Sequence, residues 1–191
     1  MEKIKILSLL FCVVMLVAAC HDDEEGPIIP QPREQVGRTV LVYIVGDNGV
    51  NELSDLFKTN FEDMKEGMKE VDYSKCNLVV YSEMVNDVPR LVSLKKQNGK
   101  VVADTLFTYS EQNPLAKEVM SSVISQTVSY FPADSYGFVF LSHSSSWVPA
   151  TNDANSRSIG YYRRTQMNIP DFHDVLLSSF PRPLKFILFD S

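Results

Sequence analysis

Residues 138–143 read Phe-Val-Phe-Leu-Ser-His. A short apolar run closed by a polar pair is the pattern of a strand buried on both faces, as in a parallel sheet. Near the end of the sequence Pro183 opens a second run of the same kind, Leu184-Lys185-Phe186-Ile187-Leu188-Phe189-Asp190, also expected to be fully buried. In open parallel sheets chemistry gathers beyond the carboxyl ends of the strands. One strand therefore delivers His143 to that edge and the other delivers Asp190, followed by Ser191.

Working outward, Thr39 to Val45 is β-branched and aromatic, which predicts a central parallel strand, and Gly46-Asp47-Asn48-Gly49 predicts a turn at its end. Leu53, Leu56, Phe57, Phe61, Met64, Met68 and Val71 recur at helical spacing and predict a helix over 51–71. Asn77 to Met84 is the next strand. Asn98-Gly99 between 91–94 and 101–107 predicts a hairpin. Asn113-Pro114 is read as cap and first turn of a helix, with Leu115, Val119, Ser122, Val123, Gln126 and Tyr130 as its face. Residues 144–168 are polar and lack periodicity, a long loop of the kind that is often functional. Pro170 to Phe180 is a short helix with Phe172, Val175, Leu176 and Phe180 inward. Alternating strands and helices imply an α/β fold, a three-layer α/β/α sandwich with a mostly parallel sheet.

The first residues are not part of that fold. Lys3 and Lys5 precede an apolar stretch from Ile6 to Ala19, shorter than the about 20 residues that span a bilayer but suited to export. The run ends Val-Ala-Ala-Cys20, which resembles a bacterial lipoprotein signal at 1–19 with Cys20 as the lipidation site. His21-Asp-Asp-Glu-Glu25 is similar to the acidic patch of surface lipoproteins of Bacteroides-type bacteria. Pro27, Pro30 and Pro32 make 20–37 an extended tether to a domain over 38–191. The expected location is the outer membrane or cell surface, with the membrane reached through the lipid anchor.

Net charge is −6, and no basic stripe or arginine cluster argues for nucleic acid. Of three cysteines, Cys12 lies in the signal and Cys20 at the lipid site, leaving Cys76, expected half-buried at a strand start. Glycine-rich phosphate loops, His-Glu-x-x-His and Gly-x-Ser-x-Gly are absent. His143 stands out because its strand is otherwise apolar. The Ser144-Ser145-Ser146-Trp147 segment after it offers backbone N–H groups for an oxyanion. His173, near Asp171 and Asp174, is expected at the surface.

In this order and spacing the residues resemble the clostripain-like cysteine peptidases, which have a caspase-like fold. The likeness covers nearly all of 39–191. It rests on Asp47-Asn48 after the first strand, Asn113-Pro114, the run from Tyr130 to Gly137, Leu-Ser-His-x-x-x-Trp147, and the closing Phe-Asp-Ser. The resemblance implies that His143 is the general base and Asp190 the charge partner of a basic side chain before the cut. It implies cleavage of a peptide or protein substrate after arginine, with lysine as second choice. The family's nucleophilic cysteine would fall one position past Ser191, so the chain as written is expected to be an inactive, C-terminally truncated domain. Ser144 and Ser146 replace two family glycines at positions where serine tolerates φ > 0 poorly. Family members often cut themselves between the histidine and cysteine strands, and Arg157, Arg163 and Arg164 lie in that interval. No cofactor is expected, and calcium is left open. The alternative is a non-catalytic surface lipoprotein that binds peptides; a third reading pairs His143 with Ser145 or Ser191 as hydrolase nucleophile.

Overall fold

β1 (Arg38–Val45) is the centre of a six-stranded sheet. Its β-branched and aromatic residues let it pair on both edges, in parallel with β2 (Cys76–Glu83) and with β5 (Tyr136–Ser142). Outside β2 lie β3 (Arg90–Gln97) and β4 (Lys100–Thr108), both in antiparallel pairings; outside β5 lies β8 (Phe186–Asp190), parallel to it. The order is β4-β3-β2-β1-β5-β8. The computed structural model describes residues 30–49, 51–143 and 158–190. The signal, Cys20, the 144–147 segment, Arg157 and Ser191 lie outside the described residues.

Alternation along the strands divides the core into two layers. Val42, Ile44, Val80 and Leu141 pack against α1 (Asn51–Gly67) through Leu53, Phe57, Phe61 and Met64. Leu41, Tyr43, Val45 and Phe138 face α2 (Lys117–Tyr130) and α3 (Ile169–Ser179), meeting Met120, Ile124, Phe172 and Val175. The result is the α/β/α sandwich that the sequence predicts. Ahead of β1, Val36 bridges to Ala133, and the Arg33 guanidinium lies 4.9 Å over the Phe131 ring.

Several elements differ from their sequence reading. α1 ends at Gly67 and passes into a 3-10 turn over Met68–Glu70, so Val71 is already extended; Leu56, on the flank of the stripe, is exposed. α2 starts at Lys117, not at Asn113. Asn113-Pro114 forms a turn instead: Asn113 Oδ1 accepts from the Leu115 N–H, and the Pro114 carbonyl accepts from Tyr43 Oη at 2.7 Å. Starting three residues later, the helix buries Met120, Ile124 and Thr127 together with Val123 of the predicted face, while Ser122 of that face is exposed. Residues 158–168 are no loop but an antiparallel hairpin, β6 (Ser158–Tyr162) and β7 (Thr165–Asn168). Gly160, at φ +76°, interrupts the register between Ile159 and Tyr161, which hides the strand alternation in the sequence.

β8 is the largest correction. It was expected to be fully buried, yet Phe186, Ile187, Leu188 and Phe189 are exposed by 39–54%. The sheet order gives it one neighbour, β5; Phe189 reaches Phe140 and Phe172 in the core, and the Phe186 ring lies over Gly137. The Asn98-Gly99 hairpin forms as predicted, with both residues at positive φ.

Candidate active site

The parallel registers set out the carboxyl edge of the sheet. Val45 is level with Glu83 on one side and Ser142 on the other, so these three share one row and one face. One row earlier, Ile44, Ser82, Leu141 and Asp190 align. Asp190 and His143 therefore stand on adjacent strands at one edge, two residues apart in register. Asp190 takes the face of Leu141 and opens on a shallow groove with Val139, Asn60, Asp63 and Met64 on the α1 side. No hydrogen bond joins Asp190 to His143 among the described residues.

His143 is exposed and follows the last residue of β5. Its ring meets Tyr161 of β6 edge to face, with centroids 6.4 Å apart and planes at 84°. The preceding residue, Ser142, is buried and its Oγ accepts from the Tyr161 N–H at 3.0 Å. The hairpin thus rests directly against the histidine. Cys76, the one cysteine among the described residues, is half-buried at the start of β2 and level with Arg38. An eight-residue strand at about 3.3 Å per residue puts it on the order of 20 Å from this edge, at the opposite end of the sheet. It is no partner for His143.

Beside the histidine lies a charged cluster that the sequence reading did not single out. Asp47, in the turn after β1, is buried and accepts from Arg163 Nε at 2.8 Å; its carbonyl accepts from the Arg163 backbone N–H at 3.0 Å. Glu111 forms a second ion pair with Arg163. These two carboxylates hold the Arg163 guanidinium well above its ordinary pKa. Glu83 lies behind them, 2% exposed, with Oε2 lacking a hydrogen-bond partner among the described residues. Burial first, and then the Asp47 charge, push Glu83 up to about 8 against the opposing pull of Arg163, so it is protonated at neutral pH. A signal for Glu83 was present: like His143, it is a titratable group closing an apolar strand.

Of the remaining candidates, Arg163 is the tip of the β6–β7 hairpin at φ +52°, and Arg164 beside it is exposed. His173 is exposed next to Asp174, as expected. Among the described residues no group of acidic, histidine and cysteine side chains could hold a metal.

A sequence profile of the clostripain family matches residues 42–191. A secreted C11 cysteine protease from Bacteroides thetaiotaomicron, solved with an irreversible peptide inhibitor, is 40% identical with a TM-score of 0.66, over 81% of this chain and 42% of that one. An inactive zymogen C11 protease from Parabacteroides distasonis is 32% identical with a TM-score of 0.66, over 83% of this chain and 42% of that one. A B. fragilis cysteine protease is 41% identical with a TM-score of 0.54, over 62% of this chain and 98% of that one. A search of curated proteins gave no match. The chain spans less than half the length of the first two structures. Its mixed six-stranded sheet, with helices on both faces and a histidine at the carboxyl edge, is an α/β fold similar to that of the C11 cysteine proteases. The chain belongs to the clostripain family.

Proposed function

We propose that this chain is the histidine-bearing part of a cell-envelope cysteine endopeptidase that cuts after arginine, and more weakly after lysine. The observation that carries the reading is the position of His143 and Asp190 on adjacent parallel strands at one sheet edge. His143 is the proton partner of a thiol, which attacks the scissile carbonyl to give a thioester and releases the amine with the proton held by the imidazole. The thiol belongs to a cysteine placed directly after Ser191. Asp190, exposed at the groove, pairs with the guanidinium before the cut; a planar fork suits a carboxylate better than an ammonium does. Labelling of the complete gene product with an arginyl electrophile tests this. It should modify one cysteine, and labelling should be lost in H143A. Binding of the arginyl ligand without modification would favour a non-catalytic peptide-binding lipoprotein.

Self-cleavage between β5 and β8 is part of the proposal. A peptidase needs an extended, free segment, so Arg163, ion-paired in a hairpin tip, is a poor cut site. Arg157 and Arg164 remain as candidate cut sites. Purified complete protein should run as two fragments, and as a single chain when Arg157 and Arg164 are both replaced by alanine. Cys20 is proposed as the lipid anchor of an exported protein; C20A should leave the membrane fraction.

A further inference from the structure

The hairpin that touches His143 is held by ions as well as by its own turn, where Thr165 Oγ1 donates to the Tyr162 carbonyl at 2.9 Å. Two-residue hairpin tips favour Gly or Asn at positive φ, yet the tip here is Arg163-Arg164, with Arg163 at φ +52°. What fixes Arg163 is Asp47: one carboxylate oxygen takes Nε at 2.8 Å, and the Asp47 carbonyl takes the backbone N–H at 3.0 Å. Glu111 binds the other arm of the fork, and the guanidinium lies 5.1 Å over the Tyr162 ring. Asp47 is itself immobilised, since its Oδ1 accepts from the Gly49 N–H at 3.1 Å and its side chain is 7% exposed. From this anchor the hairpin runs two residues back to Tyr161. There its N–H reaches Ser142 Oγ and its ring meets His143 edge to face.

We propose that Asp47–Arg163 is a latch that positions His143. It seats the β6–β7 hairpin so that Tyr161 sets the orientation of the imidazole. Arg163 and Tyr161 are positioning residues in this assignment, which rests on the reading of His143 as the base. The charged groups facing the latch are Asp47 on the β1 turn, Glu111 before α2, Glu83 at the end of β2, and Asp87 in the turn after it. Glu83, protonated, adds no second full charge to the latch at neutral pH.

The test is the magnetic environment of the ring. In the histidine-labelled complete gene product, the His143 ring-proton resonance, assigned with H143Q, should shift in Y161A as the Tyr161 ring current is lost. R163Q and D47N should move it in the same direction by roughly half or more of that change, while aromatic core resonances stay put. E111Q, which leaves the Asp47 contact intact, should move it less, and R163K should restore it in part. If Y161A shifts the resonance while R163Q and D47N do not, the latch does not position His143. An unmoved resonance in Y161A overturns the proposal too. Loss of the folded core in both R163Q and D47N would make the cluster a stability element only, and equally overturn it. The readout needs no turnover, so its failure leaves the peptidase reading standing, and failure of that reading leaves the latch measurable.

Discussion

Glu83 ends β2 level with Val45, almost wholly out of water, with Asp47 beside it. Its folded-state pKa of about 8 lies above the ordinary 4.5, so between those values the folded chain holds a proton that the unfolded chain has released. The sign follows from linkage: the contribution is complete below about pH 4.5 and is lost as pH rises through about 8. The slope reaches at most about 1.4 kcal/mol per pH unit. Denaturant unfolding of the complete gene product at about pH 5 and about pH 9 should show it losing stability on the alkaline side. E83Q, which mimics the protonated form, should lose much less; parallel pH profiles for the two would contradict the assignment. The same residue-level reasoning made His143 legible in the sequence, since a titratable group on an apolar strand needs a reason to be there. It applied to Glu83 as well, but the pairing of Glu83 with Asp47 and Arg163 depends on residues far apart in sequence, which no local pattern reports.

At the scale of elements, the β6–β7 hairpin depends on Gly160. A Cβ there would lie 2.8 Å from both Leu115 and Phe140, and the backbone has φ +76°. G160A should therefore cost about 1–3 kcal/mol through strain and overpacking. Thermal melts of the complete gene product would check it, and an unchanged midpoint would show that the hairpin is not docked on Phe140. The sheet strands, α1, α3 and the 98–99 turn could be read directly because each carries its own periodicity or turn chemistry: for α3 it is the spacing of Phe172, Val175 and Leu176, all three buried. The hairpin could not, since one bulge at Gly160 erases a two-residue period. The start of α2 was misplaced for a related reason. Asn113-Pro114 looks like a cap, but tertiary contact with Tyr43 makes it a turn.

At the scale of the molecule, the apolar strip along β8, together with Leu177 at 70% exposure, is the largest group of exposed apolar side chains among the described residues. It continues into a groove with Phe172, Leu176, Phe180 and Leu184 between α3 and β8. The chain expressed alone should be poorly soluble and bind hydrophobic dyes, and I187S/L188K should relieve both; a sharp cooperative melt as a monomer would contradict this. That β8 sits at the sheet edge was not legible, because an apolar run looks alike whether both of its faces are covered or one is open. The order β1-β5-β8, by contrast, brings His143 and Asp190 to one edge as expected from two strands ending in polar residues. The most direct test of that edge is kcat/KM of the complete gene product on matched arginyl and glutaminyl amides, with H143A and D190N beside it. H143A should lose about 10²–10⁴-fold on the arginyl amide, and D190N should erase most of the preference for arginine while leaving the glutaminyl rate nearly unchanged. Full activity in H143A, or an arginine preference untouched in D190N, would contradict the account.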